Sequence, residues 1–273
     1  MGRAKRLVNR DAEILSLRVP TLKALWKEAN LAILTNPEEY VEDCTNSYAF
    51  IRGGLFYVHS ATGAGLNLGE VGYGSSKWAH LLRGYFYPPS YRGALASAKK
   101  YLGKKQRPPV GIVFMGERIN KAPGISSSAG PCLLSMAFSW DYGAHTPKVM
   151  VHSRSAELTR KFYADLVFMH VIIREFGKEL GFDPEKVSIT WVIPRLTQAV
   201  DYIPALLLQL DRWDIIEGEE GHPWIQYIRK AIPTREDLNH KFRTRRVAVE
   251  HYYRIKDGET FQDIPPESLH LPV

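Results

Sequence analysis

The stretch PCLLSMAFSW (131–140), a turn, and then KVMVHSRSAELTRKFYADL (148–166) place a cysteine, an Arg-Ser pair and a lone carboxylate in one short span. Cys132 follows SSSAGP at the mouth of an apolar run. A free cysteine is most often a buried, inert hydrophobe. It becomes a nucleophile as the thiolate, which a neighbouring arginine or lysine favours. Arg154 lies 22 residues downstream, beyond two alternating segments, roughly 134–140 and 147–153, joined by DYGAH. A hairpin there folds Arg154 back toward Cys132; the plainer reading is a surface arginine. Asp165 is the second anomaly. Phe162, Leu166, Met169, Ile173, Phe176 and Leu180 recur at steps of three and four, and Asp165 falls on or beside that stripe. A carboxylate there needs partners, because an unpaired buried charge is costly. It is either a structural Asp bonded to a backbone donor or an arginine, or a group held in a pocket to read a ligand's donors.

The elements around these residues follow from period and punctuation. VPTLKALWKEANLAIL predicts a helix over about 20–34 with Pro20 in its first turn. NSYAFIRGGLFYVHSA reads as a strand or hairpin interrupted by Gly53-Gly54. Residues 62–74 are glycine-rich without the fixed pattern of a phosphate cradle, and read as a loop. SSKWAHLLRGYF predicts a short helix capped by serine, and YRGALASAKKYL another. VGIVFM is a compact strand. In 133–140, Leu134, Met136, Phe138 and Trp140 alternate with Ser135, Ala137 and Ser139, as in a half-buried strand. The longest helix is expected over about 158–180, stopped by Gly181 and Pro184. VSITWVI is a strand, PALLLQLDRW a helix, and the last 40 residues mix a polar helix with a hairpin around Lys256–Glu259. Hairpins, rather than regular βαβ units, predict an α+β fold, with residues 1–273 as one domain.

Composition narrows the class. Of 273 residues, 45% are hydrophobic, enough for one large core. No apolar run is long enough for a membrane span. The start, MGRAKRLVNRDAEIL, lacks the apolar core of a secretory signal. Cys44 and Cys132 are too few for a disulfide framework and suit a reducing cytoplasm. The nine histidines form no pairing with them that would hold a metal. A net charge of +7 suggests an anionic partner: nucleic acid, a nucleotide phosphate or a polyanionic cofactor. The basic clusters at 104–107 and 243–246 read mainly as solvated surface. The chain has no aromatic-basic recognition motif, which weakens a non-catalytic nucleic-acid-binding reading.

Pro131-Cys132, strand, turn, strand, Arg154-Ser155-Ala156-Glu157 and then a helix bearing Asp165 eleven residues after Arg154 resembles the layout of the thymidylate synthases and the related deoxycytidylate hydroxymethylases. The likeness covers roughly residues 110–182, and more loosely extends to 212. It implies a thymidylate synthase-like fold, with a mixed sheet and packed helices. Cys132 would attack C6 of a pyrimidine nucleoside monophosphate, so that C5 takes up a one-carbon unit carried by 5,10-methylenetetrahydrofolate. Arg154 and Ser155 would grip the 5′-phosphate. The enzyme would be a homodimer, with phosphate contacts crossing the interface. The arginine pair that the family places before VGIVFM is missing, and Arg107, with Lys104 and Lys105, stands in its place. Where the family carries Asn to read uracil, Asp165 matches the cytosine-selective members, because an ionised carboxylate only accepts. The implied substrate is a cytidylate, dCMP or CMP.

The departures from the family pattern matter. The catalytic glutamate position falls on His80 in Ala79-His80-Leu81-Leu82, with Glu70 as the other candidate. YFYPPSYRG replaces the tryptophan-rich segment, which favours adding water over hydride and hence hydroxymethylation over methylation. The sugar-binding His-x-Tyr pair falls on Thr197 and Ala199, with Gln198, Tyr202 and Arg195 nearby, so ribo- and deoxynucleotides both stay open. A cytidylate C5-methyltransferase and a uridylate-directed synthase or hydroxymethylase are the alternatives. The implied setting is nucleotide biosynthesis, such as making a modified base for a phage genome.

Overall fold

The structure is a computed structural model that describes residues 6–8, 14–35, 39–42, 47–104, 109–114, 132–218 and 223–272. In chain order the elements are β1 (Arg6–Val8), β2 (Leu15–Thr21), α1 (Leu22–Thr35), β3 (Glu39–Glu42), β4 (Ser47–Ser60), α2 (Ser75–Tyr85), α3 (Pro88–Tyr101), β5 (Val110–Val113), β6 (Leu133–Asp141), β7 (Thr146–Ser153), β8 (Ala156–Glu157), α4 (Lys161–Leu180), β9 (Ser188–Ala199), α5 (Ile203–Gln209), α6 (Asp214–Glu217), α7 (Pro223–Ala231) and α8 (Arg243–Lys256). The class is α+β, and the described strands form one mixed sheet in the order β1-β3-β4-β9-β7-β6-β5, with β2 beside β4 and β8 beside β9.

The cross-strand register sorts the sheet into two faces. Phe56, Trp191, Val151, Met136 and Ile112 form one continuous row, and Val58, Ile189, Val149, Phe138 and Val110 the next. All ten are buried. Helix α4 lies on this face: Phe162 packs on Phe56 and Trp191, and Phe138 stacks on Phe176 with ring centroids 4.5 Å apart. Every residue from Phe162 to Ile173 is buried, so α4 is covered all round rather than along one stripe. Its other side takes Trp26 of α1, edge-on to Tyr163, and Trp78 and Tyr85 of α2, both against Phe168. That all-round packing is how a carboxylate on α4 ends up buried.

Several sequence expectations change. Pro20 lies in β2 rather than in a first helical turn. There β2 pairs in parallel with β4 and Pro20 is exposed, as proline on an edge strand must be. The hydroxyl of Thr21 accepts the Ala24 N–H at 3.2 Å and starts α1 instead. Gly74, not a serine, caps α2. Leu134 is 42% exposed, because the β6–β7 register slips between Leu133–Ser153 and Ser135–His152 and turns it off the core face. Three parallel pairings, β2 with β4 and both β7 and β8 with β9, make helical crossovers where hairpins alone were expected. Lys256–Glu259 is the end of α8 and its turn, not a hairpin: Ala248, Val249 and Tyr252 are buried at helical spacing.

Candidate active site

Cys132 sits half-buried at the entry to β6, directly before the register slip. The β6–β7 hairpin closes as expected and brings Arg154 to it: the Arg154 backbone N–H donates to the Cys132 carbonyl at 2.9 Å. Ser155 Oγ donates to Cys132 Sγ at 3.6 Å. The Arg-Ser turn is held from both sides. Trp191 Nε1 donates to Ser153 Oγ at 2.8 Å before it, and Ala156 pairs with Leu196 of β9 after it. The Glu157 carboxylate then accepts the Thr159 and Lys161 amides at 2.8 and 3.2 Å, which sets the entry angle of α4.

Asp165 is only 4% exposed. Burial raises its carboxyl to about 8; Lys77 opposes the shift and Glu157 reinforces it. Tyr85 links this carboxyl to the cysteine, interacting with both the Asp165 and Cys132 side chains. Burial above all, then Asp165 and Cys132, push the Tyr85 ionisation far upward, so it remains a neutral hydroxyl able to donate and accept. Its ring is fixed against Phe168, one α-helical turn beyond Asp165. Sequence reading missed Tyr85; its only signal was a tyrosine at the end of a short helix, which is common. The thiol, hydroxyl and carboxyl therefore form a chain running from the mouth of β6 into the α4 face.

A cleft of about 400 Å³ adjoins Asp165 through Lys77. Lys77 and His80 of α2, Arg160 and Arg243 line it together with Tyr73 and Tyr202. Gly72 and Gly74, at the end of the glycine-rich loop, also contribute. Gly72 is left-handed at φ 72°, and a β-carbon there would lie 2.7 Å from His251 Nδ1, so the loop can follow this course only with glycine. The 243–246 cluster, expected to be solvated surface, divides its work: Arg243 faces the cleft while Arg245 pairs with Asp201 and Asp237 at 2.9 and 3.3 Å.

The remaining sequence candidates stand apart from Cys132 and Asp165 or outside the described residues. Glu70 is held by an ion pair with Lys23 and by the Tyr163 hydroxyl, which donates to it at 2.6 Å. Gln198 is fully buried, its amide donating to the Asn30 side-chain oxygen at 2.8 Å. His80 is exposed on the cleft rim. Arg107, Lys105, Pro131 and Cys44 lie outside the described residues. Among the described residues no group of His, Cys, Asp or Glu is arranged to hold a metal, and no helix is long and apolar enough to cross a membrane.

No family model matches the chain, and no curated protein does. Among solved structures, the thermostable thymidylate synthase A from Bacillus subtilis aligns at 15% identity and a TM-score of 0.33, covering 44% of this chain and 40% of that one. The chain thus matches less than half the length of that relative. A likeness of this size carries no chemistry; the geometry around Cys132 does.

Proposed function

We propose that the protein is a pyrimidine nucleotide C5 one-carbon transferase in which Cys132 is the nucleophile, acting on a cytidylate to give the 5-hydroxymethyl product. The observation that supports this reading is that the Cys132 thiol, held by the Ser155 hydroxyl, and the buried Asp165 carboxyl both act on the Tyr85 hydroxyl. The Cys132 thiolate adds to C6, forming the S–C6 bond and moving the C5–C6 π electrons onto C5. C5 would then bond to the one-carbon unit and lose its proton as the unit's carbon–nitrogen bond to the folate breaks and tetrahydrofolate leaves, and expulsion of the thiolate would restore the ring double bond. Water adding to the exocyclic carbon as the thiolate leaves yields a hydroxymethyl group. Ser155, whose hydroxyl bonds the thiol, and Arg154, whose backbone bonds the Cys132 carbonyl, would grip the 5′-phosphate. Methylenetetrahydrofolate, when bound, supplies the carbon at the formaldehyde oxidation level. Its glutamyl carboxylates fit the cationic rim beside Asp165, where the buried Arg160 Nε has no hydrogen-bond partner among the described residues.

The protonation of Asp165 changes the base argument. A neutral carboxyl donates once and accepts once, so it matches the N3 and amine of cytosine as well as the O4 and N3–H of uracil. Selection for cytosine belongs to the ionised form, which only accepts. A uridylate reading therefore keeps a specific observation in its favour. Mass spectrometry of dCMP, CMP and dUMP after incubation with the protein and methylenetetrahydrofolate separates the cases. A cytidylate product heavier by CH2O is expected. A gain of CH2 means methyl transfer, turnover of dUMP alone selects the uridylate reading, and unchanged nucleotides overturn the proposal.

The homodimer reading is supported by the outer sheet face. Leu55, Val192, His152, Ser135 and Val113 form one outer row, and Tyr57, Thr190, Met150, Ala137 and Gly111 the next. Leu55, Met150 and Val113 are 43%, 45% and 48% exposed in one continuous strip. The expected result is a dimer for the parent protein by light scattering and a monomer for the Leu55→Asp/Met150→Asp double variant, whose charges fall at the β4 end and in the middle of that strip.

A further inference from the structure

We infer that the cleft between α2, the 72–74 loop and α8 is a built site for a compact dianion, a phosphate monoester or a paired carboxylate, with Arg160 as its central ligand. The inference rests on the transferase reading only for the identity of the ligand, not for the existence of the site. Arg160 stacks against both Tyr73 and Tyr202, with its guanidinium carbon 4.6 and 4.2 Å from the ring centroids. Two aromatic faces fix the plane of the fork and leave only its edge for a ligand. The buried Nε has no hydrogen-bond partner in the described chain, and an unmade bond at a buried charged donor is expensive unless a ligand completes it.

The charged side chains that line the cleft have one sign, with the Glu157 and Asp165 carboxyls set behind them against Tyr73 and Lys77. Lys77, 4.7 Å from the Tyr73 centroid, and Arg243 share the cleft with Arg160, and no aspartate or glutamate lines it. Neither Arg160 nor Arg243 has an ion pair among the described residues. The tyrosine rings serve the arginine rather than a ligand: Tyr73 carries cations against its ring and Tyr202 carries Arg160, which makes the cleft selective for charge over flat apolar rings.

The test is titration of inorganic phosphate and, separately, glutarate into the full chain at low ionic strength, followed by calorimetry. The parent protein is expected to bind at least one of them saturably, with affinity about fivefold or more weaker in Arg243→Gln and falling with added salt. Arg243 is exposed, so its variant folds. Arg160→Lys keeps the charge and loses the planar fork, and is expected to weaken binding as well. Tighter phosphate binding that a nucleoside monophosphate displaces assigns the site to the nucleotide, and tighter glutarate binding assigns it to an acidic tail of the second substrate. No saturable binding of either ion, or binding unchanged in both variants, overturns the inference. Cys132→Ala is run in parallel. If it retains ion binding while turnover is lost, both readings stand, and if it retains binding with turnover intact, the covalent reading alone fails.

Discussion

On the proposed transferase chemistry, Cys132→Ala is expected to lower turnover of the pyrimidine nucleotide by at least about 10³-fold and to leave the melting temperature within about 2 °C of the parent. The two halves of this expectation have different causes. The rate falls because no other group beside Ser155 and Tyr85 can form a bond to C6, and without it C5 is not nucleophilic. Stability is retained because Cys132 is half-buried, with its backbone carbonyl, not its sulfur, bonded to Arg154. Truncating such a side chain opens no core cavity of the kind that costs several kcal/mol. Steady-state rates and thermal melts of the same preparations check both. Equal turnover in the alanine variant removes the thiol from the mechanism, whereas a large fall in melting temperature makes Cys132 a structural residue.

The second large effect is at Asp165. Burial raises its carboxyl from 3.8 to about 8, so between those values the native chain holds a proton that the unfolded chain releases. Stability is therefore fully present below about pH 4, falls as pH rises, and has lost this contribution once pH passes about 8. Asp165→Asn is isosteric and neutral throughout, which removes that slope. The variant matches the parent near pH 4 and is more stable at pH 8 by about 2–4 kcal/mol, a rise in melting temperature of roughly 5–10 °C. Melts at both pH values decide it; a parent curve flat in pH means that Asp165 ionises freely. On the proposed transferase reading, base choice is expected to follow the same proton. In the parent, the kcat/KM ratio of dCMP to dUMP rises by about tenfold or more from pH 6 to 8.5 as the carboxylate form, which repels uracil O4, takes over. In Asp165→Asn the ratio is flat, because the amide donates and accepts at every pH.

Local pattern carried the parts of the site that lie close in sequence. Alternation in 133–153 and the DYGAH turn are sufficient to close the hairpin, so the Cys132–Arg154 contact was legible from spacing. The helical stripe around Phe162–Leu180 was legible too, as was the anomaly of a carboxylate on it. Leu134 was misjudged because a one-residue slip inverts the faces of a strand without changing its composition. Glu70 and Gln198 looked available because nothing in the sequence shows that Lys23, Tyr163 and Asn30 come from 47 to 168 residues away to engage them.

By itself the sequence determined which residues are chemically able: the thiol, its Arg-Ser neighbours and a polar residue on an apolar helix, each a consequence of residue type and period. The tertiary structure alone decided how they act. Whether Asp165 carries a charge depends on how completely Trp26, Trp78, Tyr85 and the sheet enclose α4, and burial is a sum over distant elements. Tyr85 joins the thiol to the carboxyl only because α2 docks on Phe168. Lys77, Arg160 and Arg243 converge from three separate segments, and no spacing along the chain encodes that meeting. Side-chain identity is local, but dielectric environment and convergence are properties of packing.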